Sequence, residues 1–380
     1  MISKAESWMA EPPGALPVTV RVARSVDDLD ELSAAWNAFG RRVRQPMLSH
    51  AWVRACAAAF AGPGQLAVTV VDTPDDAVAM APLVVRGEAI PQLELLGVDE
   101  IGEPSDLIAA SPSALGWLAD ALVRTGRPLH LKCILAESPT VAALRRAYRG
   151  RGIVIALPHA AYPWIPLDAG WACPESRLNA RRRSDVRRAR RIAERLGGVK
   201  VEVTTPTTAE VEPLLEEALT VEAASWKGPR GSALLVDPAR RTFFDHYALA
   251  AAEQGILRLA FLRIGGQAAA MQLAVESGGR FWLLKIGYDA AFGRCSPGTL
   301  LMIETLRYAA QRGLYSYEFL GTIEPWTSMW NPRARCCVSL RAYPATPHGL
   351  GALMLELGRI ARRKLAGLGR LARREGRTSR

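Results

Sequence analysis

An internal repeat is the feature that most constrains the fold of this 380-residue chain. Three pairs of similar short segments occur in the same order in both halves. They are AMAPLVV at Ala79 with AMQLAVE at Ala270, LELLG at Leu93 with LLKIG at Leu283, and SPSALGWLADAL at Ser111 with SPGTLLMIETL at Ser296. The strands and helices predicted around these segments also follow one order twice. This pattern predicts two copies of one α/β unit, with chance similarity of short segments as the alternative.

Residues 280–321 form the central motif of the second copy and predict a strand, a loop, a helix and a second strand. Ser296 is placed to cap the helix with its side-chain oxygen, and Pro297 occupies the first helical position. Gly313 is expected just after its end. A glycine-bearing loop before a helix N-terminus favours a phosphate. The alternative is an ordinary capped, buried helix.

The loops of the two copies differ in charge. The first, VDEIGEPSDL at residues 98–107, holds four acidic residues and no arginine, whereas the second, YDAAFGRC at residues 288–295, has Arg294 and a single acid, Asp289. A phosphate would be repelled by the first loop and tolerated by the second. We therefore expect the phosphate site in the C-terminal copy, with the N-terminal copy acting as a scaffold or as a wall of the acceptor site.

Two segments concentrate the positive charge of a chain whose net charge is +11. Residues 177–198 carry nine arginines against Asp185 and Glu194 and predict a basic helix between the copies. This helix is either a clamp for phosphate or an anionic polymer, or a solvated helix. Residues 350–380 place leucines at helical spacing with arginines between them. That pattern fits an anionic membrane surface or a helix docked on its own protein.

The predicted organisation has five parts. Residues 1–17 form a flexible arm, 18–170 and 199–346 are the two α/β units, 171–198 connect them, and 347–380 form a basic amphipathic tail. Six scattered cysteines without metal-ligand spacing predict no metal site and a reducing cytoplasm. With no signal peptide or membrane span in the sequence, we expect a cytoplasmic protein that is either free or peripheral to the inner face of the membrane.

The tandem units, the arginine helix and the series KIGYD, CSPG, EFLG and EPW resemble the CelD-like branch of the GNAT acyltransferases. That branch is associated with cellulose and exopolysaccharide and is related to the Fem-type peptidoglycan aminoacyl transferases. The resemblance implies an α/β fold with a mixed sheet, built of tandem GNAT-like units. It also implies acetyl-CoA or another acyl-CoA as the donor. By this likeness, the pyrophosphate contacts would be Gly293, Arg294, Ser296, Gly298 and Thr299.

The chain departs from the family pattern at two places. The segment FGRCSPG is a loose version of the usual Gln/Arg-x-x-Gly-x-Gly/Ala loop, and Glu324-Pro325 is followed by Trp326-Thr327 where relatives often have Tyr-Lys. If that lysine serves the substrate or the chemistry in relatives, another residue must replace it here, and Lys227 or Lys285 could supply the charge.

Acyl transfer from a thioester needs a base for the attacking amine or hydroxyl and a donor for the developing oxyanion. Glu318, in the apolar strand YSYEFLG, and Glu222, on a predicted helix, are the candidate bases; the alternatives are an exposed strand residue and a helix-surface acid. Lys285 and Asp289 flank the turn out of the central strand, where they form either a structural ion pair or part of the active site.

Aromatic and basic residues near the motif are candidates for substrate binding. Trp226 shares a helix face with Glu222, and Lys227 follows it. Trp326 and Trp330 come after the last strand at helical spacing, where they either wall an acceptor pocket or cap the core.

The function predicted from these features is acyl-CoA-dependent N- or O-acyl transfer to a small-molecule or glycan acceptor, such as a sugar nucleotide or a cell-surface polysaccharide precursor. A Fem-type transferase that uses aminoacyl-tRNA is the first alternative, with tRNA as its nucleic-acid partner. The second is a non-enzymatic nucleic-acid-binding or membrane-binding protein on a degenerate GNAT fold.

Overall fold

A computed structural model describes residues 18–40, 44–225, 234–359 and 362. The arm predicted for residues 1–17 lies outside this part of the chain, as does most of the tail beyond 359. The strands of the first half are β1 (Thr19–Ala23), β2 (Val68–Asp72), β3 (Ala77–Ala81), β4 (Leu83–Arg86), β5 (Gln92–Leu95), β6 (Ile108–Ala109), β7 (Leu129–Leu135) and β8 (Gly152–Pro166). Those of the second half are β9 (Val199–Thr204), β10 (Leu257–Ile264), β11 (Gln267–Ser277), β12 (Arg280–Tyr288), β13 (Ser316–Glu318) and β14 (Arg333–Pro344).

The helices of the first half alternate with its strands along the chain. They are α1 (Val26–Glu31), α2 (Ser33–Gly40), α3 (His50–Phe60), α4 (Val98–Ile101), α5 (Pro112–Arg124) and α6 (Pro139–Ala147). Helix α7 (Ala180–Gly197) connects the halves, as the arginine-rich segment predicts. The second half adds α8 (Thr208–Ala223), α9 (Pro238–Glu253), α10 (Pro297–Gln311), α11 (Pro325–Ser328) and a last helix over residues 347–359.

The strands form a small antiparallel sheet and a large mixed sheet. Four strands pair in the order β1-β2-β3-β6, and ten in the order β4-β5-β7-β14-β8-β13-β12-β11-β10-β9. Each half contributes one parallel pair to the large sheet, β5 with β7 and β12 with β13. Helix α5 lies between the members of the first pair in the chain, and α10 between those of the second. The same strand–helix–strand element therefore occurs twice, in agreement with the repeat in the sequence.

The two halves exchange their last strands. Strand β8 from the first half pairs with β13 of the second, and β14 from the second half pairs with β7 of the first. β8 and β14 also pair with each other along most of their length, from Gly152 opposite Pro344 to Trp164 opposite Arg333. No prediction covered these two strands, and they form the middle of the large sheet.

The central strand β12 packs on both faces, because successive side chains of a strand point to opposite sides. Phe281 and Leu283 join the core cluster beneath α10, whereas Trp282 and Leu284 join the cluster that contains the buried residues of α8 and α9. Helix α8 comes very close to the strand at Gly287, where an added Cβ would lie 2.6 Å from the Cα of Glu222. Only a glycine allows this approach.

The chain breaks at Leu32 between α1 and α2. Two local predictions differ from the structure. The loop expected over residues 98–107 contains the one-turn helix α4. Ser296 has φ 47° and ψ 54°, a left-handed conformation, and its side chain makes no capping hydrogen bond, so the predicted side-chain cap is wrong. Within the described residues, no helix is long and apolar enough to cross a bilayer.

Candidate active site

The parallel pair β12–β13 is short, and a cavity opens where the two strands diverge. Pairing is limited to three positions, from Arg280 opposite Ser316 to Trp282 opposite Glu318. Beyond them, a cavity of ≈ 480 Å³ separates Leu283–Ile286 of β12 from the chain that follows β13. Both halves of the protein line it: Ile101, Gly102, Glu103, Pro104, Cys133, His159, Ala160 and Tyr162 from the first, and Leu283, Leu284, Lys285, Ile286, Phe319, Leu320, Gly321, Thr322, Glu324 and Trp326 from the second.

The loop predicted to hold phosphate follows directly from β12. Asp289 accepts a hydrogen bond from the backbone N–H of Ala291 at 2.8 Å and starts a 3₁₀ turn over Ala290–Cys295. Gly293, Arg294 and Ser296 are exposed, and the space around Gly293 is open. Gly298 and Thr299 are half-buried in the first turn of α10. The five predicted cofactor residues therefore share one accessible surface at a helix N-terminus, where backbone N–H groups favour an anion. They are not part of the cavity lining described above.

Helix α7 packs beside this turn and along α10. Its buried face is small and apolar, with Val186, Ala189 and Ala193. Arg190 reaches α10 and pairs with Glu304 at 2.7 Å. The remaining arginines point largely to solvent, and a groove of ≈ 780 Å³ is lined by Arg187, Arg190, Arg191, Glu194 and Arg195. Within the described chain, Arg187, Arg191 and Arg195 form no ion pair, so this surface carries uncompensated positive charge.

Glu318, one of the two predicted bases, has no solvent exposure and lies in an ion pair. Arg335 of β14 donates to both of its oxygens, at 2.7 and 2.9 Å, and the Ser316 hydroxyl donates at 2.7 Å. The guanidinium of Arg335 also lies 4.1 Å from the ring centroid of Trp164 on β8. These contacts tie together three neighbouring strands. Its role as a base stays a prediction, and the geometry favours a structural ion pair over the exposed position that was the alternative.

Glu222, the other predicted base, is also buried rather than at the helix surface. Its Oε2 accepts a hydrogen bond from the backbone N–H of Leu234 at 2.9 Å. The contact joins α8 to the start of the 3₁₀ turn over Leu234–Val236. Glu222 therefore holds a segment beside the close contact between α8 and Gly287, and its catalytic role stays a prediction.

Lys285 lines the cavity together with Glu103, an acid that the sequence analysis did not single out. The Nζ of Lys285 is 5.3 Å from the ring centroid of Phe244 on α9. Glu103 is 7% exposed, and its Oε2 has no hydrogen-bond partner among the described residues. Burial raises the pKa of Glu103 to about 7, although the charge of Lys285 and the backbone N–H of Gly321 oppose the shift. The Lys285–Asp289 pair stays a prediction.

The predicted substrate residues separate into three groups. Trp326 lines the cavity; its ring lies edge-on to Phe319, with 5.9 Å between centroids, and its Nε1 donates to Glu324 at 2.9 Å. Trp330 is 4% exposed and packs against Trp171 in the core beneath α10, which matches the alternative of a core residue. Trp226 and Lys227 lie outside the described residues.

Comparison with known proteins agrees with the fold. Residues 180–328 match the family model described as an acetyltransferase (GNAT) domain. This range contains α7 through α11 and therefore the motif, the phosphate loop and the second-half wall of the cavity. This part of the chain is therefore similar to a GNAT acetyltransferase domain. A search of curated protein sequences finds no match.

Three solved structures extend the fold similarity to most of the chain. FemX aligns with a TM-score of 0.55 at 11% identity, over 80% of this chain and 95% of that one. The C-terminal domain of an Agrobacterium fabrum protein described as a lysylphosphatidylglycerol synthetase gives 0.54 at 10% identity, over 87% and 96%. L-PGS from Bacillus licheniformis gives 0.51 at 12% identity, over 85% and 95%. At such identities the likeness concerns the fold, which both halves of this chain share with these proteins.

Proposed function

We propose that the protein is an acyl-CoA-dependent N- or O-acyltransferase. The observation that carries the proposal is the divergence of β12 and β13, which opens a cavity beside an exposed loop at the N-terminus of α10. Both features lie in the range that matches the GNAT domain. In this arrangement an anionic donor binds at the loop and its acyl group enters the cavity.

The donor in this proposal is acetyl-CoA or another acyl-CoA. Gly293 and Gly298 allow the pyrophosphate to approach the backbone, and Arg294 supplies a charge-assisted contact from an exposed position. Ser296 and Thr299 complete the site. The exposure of Gly293, Arg294 and Ser296 supports this assignment, because a phosphate must reach them from solvent.

The acceptor in this proposal is a sugar nucleotide or a cell-surface polysaccharide precursor, as the CelD-like resemblance implies. Trp326 supports a glycan acceptor, since its ring lies in the cavity wall and an aromatic face can pack against a sugar ring. The protein would work in the cytoplasm, and the exposed apolar residues Leu350, Met354 and Leu357 on the last helix support a contact with the inner membrane face.

A Fem-type reaction with aminoacyl-tRNA is the second candidate. The uncompensated arginines of α7 favour it, because they lie beside α10 and could bind the phosphates of a tRNA. The fold likeness to FemX is consistent with this reading. A non-enzymatic binding protein is the remaining alternative.

Thermal unfolding with different ligands separates the three candidates. Acetyl-CoA should raise the melting temperature if the first proposal holds, because a ligand that binds only the folded state stabilises it. Protection by charged tRNA, and none by acetyl-CoA, would favour the Fem-type reaction. Protection by neither would contradict both. Thiol release from acetyl-CoA, measured with a panel of amines and sugars, then tests transfer itself.

A further inference from the structure

Glu103 is the one cavity-lining carboxylate with a buried oxygen that has no partner in the described chain. A buried polar atom without a hydrogen bond is costly, so such an atom needs an explanation. The explanation here has to involve the cavity, since the carboxylate lies in its wall. Both halves of the protein contribute to the surroundings of this carboxylate. Glu103 comes from the first half, and Lys285, which lines the same cavity, comes from the second.

We propose that Glu103, supplied by the N-terminal half, is the group that takes the proton from the acceptor in the C-terminal half's reaction. This inference rests on the proposed acyltransferase function. The acceptor nitrogen or oxygen forms a bond to the thioester carbonyl carbon, and the bond from that carbon to sulfur breaks. The acceptor proton passes to Glu103, the departing thiolate takes one proton from solvent to leave as the free thiol, and Glu103 then releases its proton to solvent, so the catalyst is unchanged.

The position of Glu103 is fixed from both sides. Arg240 of α9 donates its Nε–H to the carbonyl oxygen of Glu100 at 2.8 Å, which ties α4 to the second half. Three residues after Glu103, the carboxylate of Asp106 accepts hydrogen bonds from the Thr140 hydroxyl at 2.5 Å and from the backbone N–H of Leu107 at 2.7 Å. The segment is therefore anchored before and after the acid, as a positioned base requires.

The surroundings of Glu103 also suit proton transfer near neutral pH. The ionisable groups that line the cavity with it are Cys133 of β7, His159 and Tyr162 of β8, Lys285 of β12, and Glu324 after β13. Burial raises the pKa of Glu103 to about 7, which is close to the value that a general base needs at neutral pH. Lys285 acts in the same place as a positive charge that keeps part of the Glu103 population ionised.

The two other candidate acids are less suited to the role. Glu318 is fully buried with its oxygens bound to Arg335 and Ser316, and Glu222 accepts the N–H of Leu234. Neither belongs to the lining of the cavity. A base must come within hydrogen-bond reach of the proton that it removes, and Glu103 meets this condition by its place in the wall.

The test compares Glu103→Gln with wild type in thiol release from acetyl-CoA, using the best acceptor of an amine and sugar panel, or water where none reacts. We expect kcat to fall by about 10²-fold, the usual scale for loss of a general base. The affinity for CoA, measured by calorimetry, should stay the same because the phosphate loop is untouched. Asp99→Asn is the matched control: it removes a carboxylate four residues away, which pairs with Lys132 outside the cavity lining, and it should keep wild-type turnover.

The pH profile separates a base from a merely structural acid. In the wild type, kcat/KM should rise with pH through about 7, and this limb should disappear in Glu103→Gln. A limb that persists unchanged in the variant, or a variant with near-normal kcat, would overturn the inference while leaving the acyltransferase proposal intact. A wild-type protein that binds no CoA and releases no thiol would instead refute the proposed function, and this inference with it.

Discussion

The burial of Glu103 makes a thermodynamic prediction that does not depend on any activity. Its pKa lies near 7 in the folded protein, against an ordinary value of 4.5. Between these two pH values the folded protein binds more protons than the unfolded chain. Stability must therefore fall as pH rises through this window, and it levels off above about pH 7. Replacing Glu103 by Gln removes this dependence, because an amide does not titrate in this range.

The size of the effect follows from the same two values. Each pKa unit corresponds to 1.36 kcal/mol, so complete ionisation of Glu103 costs about 3 kcal/mol of folding free energy, most of it between pH 5 and pH 8. Relative to wild type, Glu103→Gln should therefore gain about 2–3 kcal/mol across that interval. Because every other titrating group is common to both proteins, the difference between them isolates Glu103.

Urea unfolding of both proteins at several pH values from 5 to 8 measures this difference. A difference that stays constant with pH would mean that Glu103 is not buried as described. A difference of opposite slope, in which the wild type gains stability with pH relative to the variant, would mean that Lys285 holds the acid ionised throughout. Either outcome would refute the reasoning about its environment.

Three further predictions concern other parts of the molecule. Arg294→Glu should weaken CoA binding by calorimetry, since it puts a negative charge where the pyrophosphate is expected; unchanged affinity would remove the loop from the donor site. Arg335→Met should cost about 3–5 kcal/mol in urea unfolding because it removes the cation that donates to both oxygens of the buried Glu318 carboxylate and leaves only Arg280 at 4.0 Å, whereas Glu318→Leu combined with Arg335→Met should cost much less. Equal losses of stability in the single and the double variant would show that the Glu318–Arg335 ion pair does not account for the cost. Full-length protein should float with anionic vesicles in a salt-sensitive way, and a chain truncated after Thr346 should not; flotation of both would place any membrane contact elsewhere.

The elements with local signals were predictable from the sequence. Ser25 caps α1 through a hydrogen bond to the N–H of Asp28, and Gly313 ends α10 with a positive φ of 69°. The hairpin of β10 and β11 turns at Gly265 and Gly266, a residue pair typical of tight turns. In each case the residues that determine the structure lie within a few positions of one another, so short-range rules suffice.

The central strands were not predictable in the same way. β8 contains Pro158 and Pro163 and lacks regular alternation, and proline is unusual in a strand that is paired on both sides. Its pairing partners β13 and β14 lie far along the chain, so only the assembled sheet identifies it. The prediction for Ser296 was wrong for a different reason. Ser-Pro at a helix start fits a side-chain cap, but Ser296 also ends the preceding 3₁₀ turn, and it does so in a left-handed conformation.

The acidic loop that contains Glu103 was evident from the sequence, but the role of this acid depends on the tertiary structure. The acidic loop of the first copy indicated that this copy does not bind phosphate, and a wall of the acceptor site was one of its two expected roles. Which of the four acids would reach the other half could not be inferred, because the answer depends on how α4 docks against α9 through Arg240.

The exchanged strands have a consequence for how the chain reaches its native state. β7, near residue 130, cannot complete its pairing until β14, near residue 340, has been synthesised. Contacts across so much intervening chain carry a large loop-closure cost and slow folding. An N-terminal fragment ending before β9 would present the bare edges of β7 and β8. A fragment limited to residues 180–328 would lack β8, one of the two neighbours of β13. Such open edges promote aggregation. We therefore expect each half to be insoluble when it is expressed alone and to become soluble when the two halves are co-expressed.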